Sequence, residues 1–187
     1  MITPRCRLAA LAALAALLFA PPLLAQHLPS ALSDTEIEQV RQARYYPNDC
    51  IMLFIKFADL RVQEIHDLYA HPRQPGREQD THDLLEQFTS IADELADNLD
   101  DYAPRHADLR RALPKLLDAA DRWASAIKSP PEDDAYSVTR KIALESIRDL
   151  REDATQLAAD QEAWFKAHPP SKQPKDSDTA PPIDIPR

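Results

Sequence analysis

Six histidines are the residues of this chain best suited to bind a metal or move a proton near neutral pH: His27, His66, His71, His82, His106 and His168. His66, His71 and His82 fall near one end of the predicted helices, where their convergence would make a metal site. Their spacing does not enforce that, because His66 and His71 are five apart and so lie on different faces of a helix. Neither the H-E-x-x-H of zinc proteases nor the Glu-x-x-His of carboxylate di-metal bundles occurs. The competing reading is of separate, solvated histidines close to a loop.

Nucleophilic and acid–base chemistry finds less support. Cys50 precedes the apolar run Ile51-Met52-Leu53-Phe54-Ile55, which favours a buried thiol over an intermolecular bridge. A cysteine or serine nucleophile needs an exposed position beside a base, and no histidine is local to Cys50. Asp93, Glu94, Asp97, Asp100 and Asp101 make an acidic stripe. They lack the glycine turn of a calcium loop, and paired-carboxylate hydrolysis needs a cleft. They read as a solvated face paired with basic residues, so no residue is assigned a catalytic role.

Met52, near the start of one predicted helix, and His168, near the end of another, resemble the axial pair of b-type cytochromes built on exported four-helix bundles. The resemblance implies a haem held between these two residues. Taken by themselves, Met52 reads as a core filler and His168 as a cation at a helix C-terminus. No C-x-x-C-H for covalent haem is present, and the expectation is of no cofactor.

The elements that position these residues follow a segment that removes itself. Arg5 and Arg7 form a basic head, Leu8 to Phe19 contains only Leu, Ala and Phe, and Pro21-Pro22 lead to Leu23-Leu24-Ala25. Basic head, short apolar centre and small-residue exit make residues 1–25 a secretory signal peptide, with Gln26 as the first mature residue. The apolar run is shorter than the ~20 residues of a membrane-spanning helix. The protein is therefore expected to be exported, periplasmic or extracellular, without membrane association after cleavage. Its net charge of −9 becomes more negative when the two signal arginines leave. Such a surface repels nucleic acid and anionic lipid, which leaves an unknown protein or a second copy as the expected partner.

Gly76 is the only glycine. Tight hairpins, phosphate-cradling loops and nucleophile elbows all need glycine, so long helices are expected instead of a compact sheet or a nucleotide site. Residues 26–33 form a linker. Ser33-Asp34-Thr35-Glu36 fits a capping box and predicts a short helix to about Arg44, ended by Pro47. Asn48 or Asp49 would cap the next helix, in which Ile51, Ile55, Ala58, Val62, Ile65 and Tyr69 recur at helical spacing. Pro72, Pro75 and Gly76 end it.

From Leu85 to Ile127 the same spacing continues through Pro104 and Pro114. With no glycine near Asp101-Tyr102-Ala103, the expectation is one long helix kinked at the prolines; a break at Pro104 is the alternative. Ser129-Pro130-Pro131-Glu132 fits a second capping box, opening a last helix that follows Ala143, Ile147, Leu150, Ala154, Leu157 and Trp164. Residues 169–187 form a proline-rich tail expected to be disordered.

Facing residues of antiparallel helices have numbers of constant sum. Near 150, Val62 meets Phe88, Ile55 meets Leu95 and Ile51 meets Leu99. Near 260, Arg111 meets Asp149, Lys115 meets Glu145, Glu94 meets Lys166, and Asp118 or Asp121 meets Arg140 or Lys141. The fold expected over residues 34–168 is all-α: an elongated antiparallel bundle of three long rods, the first broken at Pro47. The alternative is an up-down four-helix bundle. Met52, Leu53 and Phe57 lie off the main apolar seam. Either the short helix with Ile37 and Val40 covers them, or they form a partner or self-association surface. The expected function is that of an exported helical binding or scaffold protein acting through helix surfaces without catalysis, with a haem- or metal-binding bundle as the alternative.

Overall fold

Ser33 opens the first helix among residues 31–169, which the computed structural model describes; the segment read as a signal peptide, most of the expected linker and all of the expected tail beyond Pro169 lie outside the described residues. Ser33 Oγ accepts the Glu36 N–H at 3.3 Å, and the Glu36 carboxylate accepts the Ser33 N–H at 2.8 Å. The capping box thus forms as expected and starts α1 (Asp34–Ala43). Pro47 opens α2 (Pro47–Ala70), at a first-turn position where its missing N–H costs nothing. Asn48 and Asp49 therefore lie inside that helix and do not cap it. Gly76, at φ 89°, precedes α3 (Arg77–Tyr102), a left-handed geometry that suits a residue without Cβ.

The long middle helix of the sequence expectation breaks after Tyr102. Pro104 sits in a 3-10 turn (Ala103–Arg105), and the chain resumes as α4 (Leu113–Ile127). The reversal needs no glycine because His106 itself takes the left-handed conformation, at φ 50°. Two side-chain amides hold the connector's backbone. Asn48 donates to the Asp108 carbonyl at 2.6 Å and accepts the Ala112 N–H at 3.0 Å. Gln161, buried, accepts the Leu109 N–H at 2.9 Å and donates to the Ala107 carbonyl at 2.7 Å. These bonds satisfy backbone groups that a helix would have satisfied internally. Pro114 is no kink either; it stands in the first turn of α4.

The second capping box does not form. Ser129 Oγ donates to the Ala126 carbonyl at the end of α4, while Glu132 and the carbonyls of Pro130 and Pro131 are taken by Arg140. The last helix, α5 (Ser137–Ala167), starts several residues later than expected.

α3 and α4 each pack against α2 and α5. Along α2 and α3 the pairing is antiparallel in the expected register: Arg61 donates to Gln87 and Tyr69 bonds Thr81. α2 and α4 run parallel, with Asn48 at Ala112 and Asp59 accepting the Trp123 indole N–H at 2.6 Å. α3 and α5 also run parallel, with Asp93 at Ser146 and Asp100 near Asp153. α3 and α4 stand on a diagonal and meet in the core, where Phe88 and Trp123 pack edge to face at 5.4 Å. Among the described residues the architecture is thus an all-helical bundle of four long helices plus α1, and residues 103–112 cross its diagonal. It replaces the three rods. The register near 260 goes with them: Arg111 pairs with Asp49, Arg140 with Glu132 and Asp121 with Arg151, because that register assumed a continuous helix.

Ile51, Phe54, Phe57, Phe88, Leu95 and Trp123 form the centre of the core. Phe57 is 1% exposed, and Met52 and Leu53 are half-buried against the core. Phe57 is thus covered core and presents no surface to a partner, whereas Met52 and Leu53 keep part of their surface. α1 packs on α2 through Val40 and Ala43, leaving Ile37 at the surface. Cys50 is fully buried, and burial pushes its thiol above the ordinary range despite nearby Tyr102 and Arg44. It is a core side chain, not an activated nucleophile.

Candidate functional site

Antiparallel packing of α2 on α3 leaves an open groove of about 570 Å³ along their outer faces, near the connecting loop. Helical spacing supplies its lining. Glu64, Asp67, Leu68 and His71 recur at three- and four-residue steps on α2, as do Asp80, Asp83, Leu84 and Gln87 on α3. Four carboxylates therefore surround two leucines.

Side-chain hydrogen bonds orient two of the carboxylates. Gln63 donates to Asp67 at 2.8 Å and His66 approaches it at 3.4 Å, and these bonds hold the Asp67 carboxyl below its ordinary range. Gln79 donates to Asp83 at 2.7 Å. Arg77 also lines the groove, but its guanidinium lies 4.4 Å over the Tyr69 ring and pairs with Glu78. His71 Nδ1 lies 2.8 Å from the Asp67 carbonyl, which can only accept. Nδ1 therefore carries the proton, and Nε2 is left for other contacts.

A polar cluster fixes this end of the bundle. Tyr69 donates to the Tyr136 hydroxyl at 2.9 Å, and Tyr136 donates to the Pro131 carbonyl. Arg140, 5% exposed, lies over the Tyr136 ring. The end of α2, the start of α3 and the loop between α4 and α5 are thereby joined, so the groove is built on rigid elements.

The structure separates the three histidines considered for a metal. His66 is exposed beside Asp67, His71 lies in the α2–α3 groove, and His82 stands beside Asp83 and Glu86 on α3. Among the described residues they do not converge. His168 stacks on Trp164 with ring centroids 3.8 Å apart, and His106 covers the other indole face at 3.5 Å. The His168 Nδ1 also bonds the Trp164 carbonyl. Met52 instead lines a second groove, between α2 and α4, with Leu60 and Trp123. Met52 and His168 thus have different neighbours and are not assembled as an axial pair. In the acidic stripe, Asp101 pairs with Arg105 and Asp93 lies 3.5 Å from Ser146 Oγ. Burial, with the charge of Asp97, pushes the Glu94 carboxyl up.

Sequence reasoning missed the carboxylate groove, although the Glu64/Asp67 and Asp80/Asp83 pairs each stand at i, i+3 and signal one charged face per helix. No helix among the described residues is long and apolar enough to cross a membrane. Compared with protein-family models, curated proteins and solved structures, the chain matches none.

Proposed function

We propose that this is an exported helical binding protein that holds a basic, amphipathic segment of a partner protein in the α2–α3 groove, acting through its surface without catalysis. The observation that carries the reading is the groove's composition: Glu64, Asp67, Asp80 and Asp83 around Leu68 and Leu84. Carboxylates at the rim select lysine and arginine and speed encounter, while the leucines accept apolar side chains of the same segment. The negative charge of the whole chain adds steering of the same sign.

Fluorescence anisotropy with a labelled amphipathic Leu/Lys peptide tests it. Binding should weaken as salt is raised and fall by about tenfold or more in the triple variant Asp67→Asn/Asp80→Asn/Asp83→Asn. A Leu/Glu peptide should not bind. Equal affinity of parent and triple variant for the basic peptide would overturn the reading.

A further inference from the structure

His82, Asp83 and Glu86 stand on α3 at positions i, i+1 and i+4. The i, i+4 relation brings His82 and Glu86 onto one face, one turn apart. One ligating atom from each of the three residues lies within 4.8 Å of the other two. His82 Nδ1 is 3.5 Å from Asp83 Oδ1, and His82 Nε2 is 3.8 Å from Glu86 Oε1. Both separations are long for hydrogen bonds to an imidazole. The two contacts use opposite nitrogens of the ring, of which a shared cation takes one; the 3.5 Å from Nδ1 to Asp83 Oδ1 matches the ~3.4 Å between two ligand atoms on a tetrahedral cation at bond lengths of about 2.1 Å.

A second observation concerns His82 alone. Its Nδ1 is shut off from solvent and has no hydrogen-bond partner, a rare condition for a buried polar atom. A third concerns support and access. Asp83 is held by Gln79 at 2.7 Å, which orients a ligand from outside the cluster. Asp83 and Glu86 are each about half exposed, and both line a groove of about 420 Å³ beside Thr139 and Ile142 of α5. A cation held by the three residues would keep coordination positions open on the solvent side.

We infer that His82, Asp83 and Glu86 form a binding site for one divalent transition-metal ion of the zinc class, open toward the α3–α5 groove. One imidazole with two carboxylates suits Zn²⁺ and its first-row neighbours, whereas Ca²⁺ and Mg²⁺ prefer oxygen alone. The imidazole ligates through the lone pair of one ring nitrogen. The inference does not rest on the α2–α3 groove. Asp83 borders both grooves, but Glu86 lines only the one beside α5.

The test is a titration of chelator-stripped protein with ZnCl₂ by calorimetry. One Zn²⁺ per chain is expected, with affinity at least about tenfold weaker in His82→Ala and in Glu86→Gln, and unchanged in His66→Ala and His71→Ala. Glu86→Gln is nearly isosteric and half exposed, so it carries the test if His82→Ala fails to fold. It should also leave binding of the basic peptide intact, which separates this site from the groove reading. Absence of one-to-one uptake, or uptake that survives Glu86→Gln undiminished, would overturn the inference.

Discussion

Arg61 and Glu36 meet fork to fork: Nη1 lies 2.9 Å from Oε1 and Nη2 lies 2.8 Å from Oε2. Both residues are 8% exposed. Arg61 further donates to the Ala31 carbonyl and to Gln87, while Glu36 also closes the Ser33 cap. One buried pair thus ties α1 to α2 and reaches α3. Glu36→Ala leaves a buried guanidinium without its anion and should cost about 3 kcal/mol, measured by urea unfolding. Replacing both residues with leucine should cost less, because no unpaired charge remains.

The same pair sets an acid limit. Burial alone would raise the Glu36 carboxyl, but hydrogen bonds from Arg61 and Ser33, with the Arg61 charge, hold it below the ordinary value of 4.5. A carboxyl depressed by folding stabilises fully above its unfolded pKa and loses that contribution as pH falls through its folded one. Urea midpoints should therefore drop as pH is lowered below 4.5, and drop less steeply in the Glu36→Leu/Arg61→Leu double variant.

Gln161 stands in for helical hydrogen bonds in the connector. Gln161→Leu removes a buried acceptor from Leu109 and a donor from Ala107, for an expected loss of about 2–4 kcal/mol. Hydrogen exchange gives the local reading. The Leu109 amide should exchange slowly in the parent and quickly in the variant, while amides near Ile91 stay protected at low denaturant.

Phe57→Asp should abolish cooperative unfolding and near-ultraviolet circular dichroism, because an ionised carboxylate at a 1% exposed core position has no partner. A folded monomer obtained from a parent dimer would instead make the start of α2 an interface.

Export has its own measurement. The mature protein should begin at Gln26, with or without cyclisation of that residue to pyroglutamate, as read from the intact mass after secretion. A mass that retains Leu8 to Leu24 would leave the bundle anchored to a membrane.

Much of the bundle was legible because its signals are local. The Ser33–Glu36 cap and the apolar period along α2 and α3 follow from side chains three or four residues apart, the α2–α3 register follows from the short turn that joins them, and the burial of Cys50 follows from its apolar run. A break at Pro104 and a kink at Pro104 have the same local signature. What separates them is whether distant groups accept the freed backbone, and those groups are Asn48 and Gln161, 60 and 52 residues from their partners. The partners of Arg61, Arg111 and Arg140 were hidden for the same reason, since charge pairing follows the path of the chain through space. Only the tertiary structure decided that α4 stands diagonal to α3, that Phe57 is covered, and that carboxylates from two helices face one groove. Local sequence specifies which face of a helix is apolar; which helix meets that face depends on the connectors, where satisfaction of backbone hydrogen bonds at long range selects among folds of equal local propensity.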